Sequence, residues 1–243
     1  MIIAAALCPA PPLLARELTG ADPVLPELRD ACLEATAQLL TAAPDLIAVV
    51  GVAAQTRHWD PRSSLDLAPY APALRAARTC SDEGDGNVPP VPLPLGLAAR
   101  LLDQAGYGAD RVLHSVGEQA PAWDCAALGA QLAAAAERVA LLVMADGSAR
   151  RGPKAPGHLD ERSVPFDAGV ERAVRVGDMA ALLALDADLA RDLMATGRPA
   201  WQVLAGALAG RQPTCDILYS GDPFGVAYLV ASLTPVAEST IAT

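Results

Sequence analysis

The feature that most constrains the fold is the apolar run VALLVM at 139–144, which lies between an alanine-rich segment and a long polar loop. A short apolar run of this kind after a helical segment is typical of a buried strand in a parallel sheet. In an open α/β sheet, ligands bind at the carboxyl ends of the strands. We therefore expect the functional site in the loop that follows this run.

The rest of the chain alternates between strand-like and helix-like patterns, which predicts βα units and a mainly parallel sheet with helices on both faces. The predicted strands are 2–7, 46–52, 111–116, 139–144, 214–219 and 226–233, and the main predicted helices are 24–43, 94–105, 124–138 and one opened by Pro199. A chain of 243 residues is long enough to bury a sizeable core, so we expect a single α/β domain over 1–243.

Aspartates that precede apolar-periodic runs are expected to be helix N-caps, because their side chains accept hydrogen bonds from free N–H groups in the first turn. The candidates are Asp22, Asp124, Asp167, Asp178 and Asp186. We also expect a short helix near 71–78 and a solvated acidic turn at 81–87.

Composition excludes several classes of function. The net charge of −10 disfavours nucleic acid and anionic membranes as partners. No apolar stretch approaches the length of a membrane span. The five cysteines are scattered without a CxxC pair, which indicates neither a disulfide framework nor a zinc site. We expect a cytoplasmic protein. Few aromatic residues are available as interface anchors, and a homodimer is the assembly that we expect.

The loop after 139–144 is dense in polar side chains, glycine and proline, and it holds Lys154, the only lysine of the chain. Backbone N–H groups at Gly147 and Ser148, together with Arg150, Arg151 and Lys154, are suited to cradle an anion. No G-x-G-x-x-G or Walker A motif follows a strand, which favours a small carboxylated or phosphorylated ligand over a nucleotide cofactor. A solvated, salt-bridged lid is the alternative.

Four segments carry a resemblance to a known family: CPAPPLL at 8–14, ADGSARRGPKAPGHLDERSVPFD at 145–167, WQVLAGAL at 201–208 and YSGDPFGVAYLVA at 219–231. They resemble the catalytic domain of the class III extradiol ring-cleavage dioxygenases, and more closely an uncharacterised bacterial branch of that superfamily. The resemblance extends over nearly the whole chain. It implies the α/β fold of that family and, where activity is retained, an Fe(II)-dependent oxidoreductase.

The sequence departs from that family where the iron would bind. The family's His-Pro-Pro histidine corresponds to Ala10, and its second histidine falls within 51–54, GVAA. The loop histidine that acts as acid and base corresponds to Ala149, beside Ser148, and Gln202 is the polar residue nearest to the expected carboxylate ligand. Two histidines and a carboxylate are needed for this type of iron site, so the resemblance implies a degenerate one.

The sequence leaves two functions open. The first is a protein that keeps the fold and pocket, needs no metal or cofactor, and binds a small anionic or aromatic molecule between the loops at 8–12, 145–162 and 220–225. Its expected ligand-binding residues are Ala10, Asp146, Gly147, Ser148, Arg150, Lys154, His158, Gln202 and Asp222. The second is an active enzyme, either an Fe(II) dioxygenase with ligands relocated to His58, His114 and His158, or a hydrolase that uses Ser148, Lys154 and His158 as catalytic residues.

Overall fold

A computed structural model describes residues 1–20, 24–71 and 90–236. Seven strands form one sheet in the order β3-β4-β2-β5-β1-β7-β6. The strands are β1 (Ile2–Cys8), β2 (Leu46–Ala53), β3 (Arg57–Trp59), β4 (Arg111–Gly117), β5 (Val139–Met144), β6 (Pro213–Gly221) and β7 (Tyr228–Pro235). The four central strands, β4, β2, β5 and β1, are parallel, whereas β3, β7 and β6 run antiparallel to their neighbours. The predicted α/β fold with a mainly parallel sheet is confirmed.

Helices cover both faces of this sheet, as the alternating pattern predicts. They are α1 (Arg16–Thr19), α2 (Pro26–Thr41), α3 (Leu93–Gln104), α4 (Ala122–Ala133), α5 (Ser163–Arg175), α6 (Met179–Leu183), α7 (Ala187–Asp192) and α8 (Arg198–Ala207). Helices α2 and α3 pack on one face, and α4 to α8 pack on the other. In the described part of the chain, no helix is long and apolar enough to cross a membrane.

Strand β5 lies in the middle of the sheet, paired in parallel with β2 on one side and β1 on the other. All six of its residues are buried. Leu141 faces the core under α4 to α8, whereas Leu142 faces the core under α2 and α3. A strand buried on both faces needs apolar residues at every position, which explains the uninterrupted run in the sequence.

Helices α4 and α8 approach each other at backbone distance because each presents a glycine at the crossing. A Cβ atom on Gly129 would lie 2.1 Å from the carbonyl oxygen of Val203, and one on Gly206 would lie 2.4 Å from the Cα of Ala126. Such contacts leave no space for any side chain. This close packing brings the start of α8 beneath the carboxyl ends of the parallel strands.

Two of the predicted caps are confirmed. Asp178 accepts a hydrogen bond from the Ala181 N–H at 2.9 Å, and Asp186 accepts one from the Leu189 N–H at 2.8 Å. The predictions for Asp124 and Asp167 are wrong. Asp124 lies in the first turn of α4, which has Pro121 as its N-cap. Asp167 lies inside α5, which begins at Ser163, because proline at 165 is tolerated in the first turn of that helix.

Strand β3 is absent from the sequence prediction, which places His58 in a surface turn. Its three residues pair with β4 at the edge of the sheet, and His58 is opposite His114. A three-residue edge strand is too short to leave a periodic pattern. The expected cap at Asp22, the acidic turn at 81–87 and all but the first residue of the expected 71–78 helix lie outside the described residues.

Candidate functional site

The carboxyl ends of the parallel strands open into a cavity of about 360 Å³, which we call the strand-end cavity. The loop after β1 contributes Ala10, β2 contributes Val52, and Met144 and Asp146 come from the end of β5 and its loop. Glu118, which follows β4, completes this edge. Four successive parallel strands therefore line one concave site, at the edge where α/β proteins bind ligands.

Asp146 is the central polar group of this cavity. Its Oδ1 accepts a hydrogen bond from the Ala10 N–H at 2.7 Å, and its own carbonyl oxygen accepts one from the Gly197 N–H at 2.8 Å. Burial raises the pKa of the carboxyl to about 6, although the bond from Ala10 favours the charged form. A carboxyl with this pKa changes charge close to neutral pH, so it can give or take a proton there.

The charge of the strand-end cavity is negative. Glu118 and Asp146 line it, and no lysine, arginine or histidine does so among the described residues. Tyr70 and Thr196 add hydroxyl groups to the wall. A cavity with two carboxyls and no cation repels anions and favours neutral or cationic molecules.

A second cavity of about 240 Å³ lies between α5 and the turn that joins β6 to β7, and we call it the α5 cavity. Gly147, Arg151, Asp167 and Asp222 line it. Asp167 accepts hydrogen bonds from the Ser148 N–H at 2.9 Å and from the Ser148 hydroxyl at 2.5 Å. Burial raises the pKa of Asp167 despite these bonds. The two cavities thus flank consecutive residues, Asp146 and Gly147.

Arg151 joins the site loop to the β6–β7 turn. It donates to Asp167 at 3.4 Å and to Asp222 at 3.0 Å, and its N–H donates to the carbonyl oxygen of Gly225. The Gly147 N–H donates to the carbonyl oxygen of Ala227 at 2.8 Å. The loops expected to meet around 145–162 and 220–225 therefore do meet.

The three residues considered for a hydrolase do not form a catalytic group. Ser148 is fully buried and its hydroxyl donates to Asp167, so it is not available to a substrate. Lys154 and His158 are exposed, and His158 has a positive φ of 58° in a turn of the loop. Nucleophilic catalysis needs an accessible hydroxyl beside a base. Lys154 lines neither cavity, so it does not supply the expected anion contact in either of them.

Arg150 and Gln202 serve the fold rather than a ligand. Arg150 donates to the carbonyl oxygens of Gly157 at 2.6 Å and Asp192 at 3.0 Å, which holds the site loop against α7. Gln202 is fully buried, accepts from Arg198 at 2.8 Å and donates to the carbonyl oxygen of Leu183 at 3.0 Å. These partners satisfy its amide and it lines neither cavity, so the expectation that Gln202 meets the ligand is corrected.

The residues present do not fit an iron site. Ala10 lies at the strand-end cavity, where the resemblance places the first histidine, but its side chain has no donor atom. His58 and His114 contact each other edge to face at the β3 edge, with ring centroids 5.0 Å apart. Within residues 1–20, 24–71 and 90–236, no three His, Cys, Asp or Glu side chains converge as metal ligands would. We therefore derive no step through iron.

Sequence reasoning missed two residues that line these cavities, Glu118 and Trp201. Glu118 follows β4 directly, so the rule that points to the loop after β5 also points to it. Trp201 begins the segment WQVLAGAL, but nothing in the sequence distinguishes a tryptophan that lines a cavity from one that fills a core.

Comparison with known proteins identifies a fold but no family. No protein-family model matches the sequence, and no curated protein matches it. The chain is similar in structure to an uncharacterized protein, JW3007, from Escherichia coli K12, with a TM-score of 0.54. The match covers 95% of this chain and 99% of that one, at 14% sequence identity. At this identity, the likeness shows a shared α/β fold and nothing about activity.

Proposed function

We propose that this protein binds a small molecule in the strand-end cavity, and that Asp146 is the group that meets it. The observation that carries the proposal is the placement of Asp146 at the end of the central strand β5, in a cavity walled by four parallel strands, with a pKa of about 6. Ligand pockets are few in a protein and combine apolar walls with a small number of placed polar groups. The strand-end cavity has that composition.

The resemblance to the class III extradiol dioxygenases supports the same site and suggests a ligand with one aromatic ring. We propose a descendant of that fold, acting in the cytoplasm, which has kept the pocket and replaced the histidines of the iron site. Ala10 stands where the family has its first histidine, and its N–H orients Asp146. The backbone of the family motif thus has a use here that does not require iron.

The ligand that we propose is neutral or cationic rather than anionic. The expectation of an anion, drawn from the sequence, depends on Lys154, Arg150 and Arg151. Lys154 is exposed, Arg150 is bonded to carbonyl oxygens, and Arg151 is shared between Asp167 and Asp222. The only charged groups that line the strand-end cavity are carboxyls, among the residues that the structure describes.

A second candidate function is acid–base catalysis by Asp146. A general base works best when its pKa lies near the operating pH, and a value of about 6 satisfies this condition. In that reaction, Asp146 takes a proton from a bound molecule and returns it to a neighbouring atom. Binding in the strand-end cavity is the first requirement of both functions, so it is the property to test.

Met144 provides a local reporter of binding, because it lines the cavity and is one of four methionines in the chain. We would label the methionine methyl groups with ¹³C and titrate the protein with benzylamine, catechol and benzoate. These single-ring probes are cationic, neutral and anionic. We expect benzylamine and catechol to shift the Met144 resonance saturably, and Met1 and Met179 to stay unchanged.

Two variants test the role of charge. Asp146→Asn should weaken benzylamine binding by about tenfold or more, because it removes a charge-assisted hydrogen bond worth about 1.5–3 kcal/mol. Lys154→Met is the control and should bind as the wild type does. Preferential binding of benzoate, weakened by Lys154→Met, would show that the site is an anion pocket and would overturn the proposal. So would the absence of any Met144 shift.

A further inference from the structure

The α5 cavity contains a buried hydrogen-bond donor without an acceptor. Trp201 lines the cavity, is 1% exposed, and its indole Nε1 has no hydrogen-bond partner among the described residues. Buried tryptophan N–H groups usually find a partner, because leaving one unpaired costs free energy. By contrast, Trp59 donates its indole N–H to the Ser115 hydroxyl at 2.8 Å.

The carboxylates of the same cavity leave one negative charge without a partner in the described part of the chain. Glu171 accepts from Arg175 at 2.5 Å, so these two charges compensate each other. Arg151 is shared between Asp167 and Asp222. One arginine therefore faces two carboxylates. Asp222 is about half exposed at the mouth, whereas Asp167 is buried deeper in the wall.

These two features define what a complementary molecule carries. An oxygen atom accepts the hydrogen bond from Trp201, and an ammonium group donates to the carboxylates. The volume of about 240 Å³ is below that of pockets for drug-sized ligands, so the molecule is small. A hydroxyl-bearing or carbonyl-bearing primary amine meets all three conditions, whereas an acid of the same size meets only the first and the last.

We propose that the α5 cavity is a second binding site, specific for a small amine that carries a hydroxyl or carbonyl oxygen. Trp201 binds the oxygen, and Asp222 with Asp167 binds the ammonium group. This site is separate from the strand-end cavity, since the two share no lining residue among those described. Its existence does not depend on the function proposed for Asp146.

The test uses ethanolamine as the probe and glycolate as its counterpart of similar size and opposite charge. The indole N–H resonances of the three tryptophans are followed in ¹⁵N-labelled protein, and Trp201→Phe or sequential assignment identifies that of Trp201. We expect ethanolamine to move the Trp201 resonance downfield and saturably. Trp59, which is already hydrogen-bonded, and Trp123, which is 72% exposed, should not move.

A matched pair of variants separates the site from general charge effects. Asp222→Asn removes a carboxylate paired with Arg151, and Asp188→Asn removes one paired with Arg191 outside the cavity. We expect the dissociation constant of ethanolamine to rise about tenfold in Asp222→Asn and to stay unchanged in Asp188→Asn. An equal response to glycolate, no movement of Trp201, or equal affinities in the two variants would each overturn the proposal.

Discussion

At the scale of single residues, Asp146 couples the stability of the protein to pH. Its pKa in the folded protein is about 6, above the ordinary value of about 4 for an aspartate. Between these values, the folded state binds more protons than the unfolded state, so stability falls as the pH rises. The favourable contribution is complete below about pH 4 and lost above about pH 6.

Asp146→Asn should therefore stabilise the protein at about pH 8, by up to about 3 kcal/mol for a shift of two units, and have little effect at about pH 4. Asparagine keeps an oxygen that accepts from the Ala10 N–H. Urea unfolding at both pH values measures the difference. Asp160→Asn is the control of opposite sign, because Arg162 lowers the pKa of Asp160 to about 2. That variant should lose stability at about pH 8.

Single-residue roles are the least predictable part of this protein from its sequence. The sequence points to Asp146 because it follows a buried strand, and Asp146 does line the cavity at that strand's end. Lys154 and Gln202 stand out by their chemistry, but one lies in solvent and the other has its hydrogen bonds inside the fold. Exposure and pairing depend on contacts across the chain, which composition and spacing do not encode.

At the scale of elements, Asp167 links α5 to the site loop instead of capping a helix. Asp167→Ala leaves the buried Ser148 N–H and hydroxyl without their acceptor, so it should cost about 2–4 kcal/mol of stability. Asp186→Ala removes a genuine N-cap and should cost about 1 kcal/mol. Thermal or urea unfolding of both variants decides between the roles. Equal losses would return Asp167 to an ordinary helical position.

The α4–α8 contact gives a second matched pair. Gly129→Ala places a methyl group 2.1 Å from the Val203 carbonyl oxygen, so the helices must separate, and we expect a loss of about 2 kcal/mol or more. A Cβ atom on Gly169 in α5 would have no described atom within 4 Å, and alanine favours a helix by about 1 kcal/mol there. Gly169→Ala should therefore stabilise, and urea unfolding measures both changes. A neutral Gly129→Ala would contradict the described crossing.

Elements with strong local patterns are predicted well. Strand β5 has the predicted bounds, and the caps at Asp178 and Asp186 are where the sequence indicates. Strand β3 is not predicted, because three residues at an edge are fixed by pairing with β4 and not by their own periodicity. The glycines at the α4–α8 crossing likewise depend on which helices meet, which the sequence alone does not specify.

At the scale of the whole molecule, we place the strand-end cavity where the resemblance to class III dioxygenases would put iron, but with different residues around it. Protein purified without oxygen and loaded with Fe(II) should retain far less than one iron per chain after gel filtration. Ala10→His should not cleave catechol, because one histidine does not complete a site that needs three ligands. Tight, stoichiometric iron in the wild type would contradict this prediction, and so would ring cleavage by the variant.

The central claim is that Asp146 titrates inside a cavity that binds a small molecule. The direct measurement is a ¹³C titration of the Asp146 carboxyl, assigned with Asp146→Asn, with and without saturating benzylamine. We predict that the free protein shows a pKa of about 6 for this carboxyl. A bound cation stabilises the carboxylate, so the pKa should fall when benzylamine is present. A pKa near the ordinary value of about 4, unchanged by benzylamine, would contradict the account.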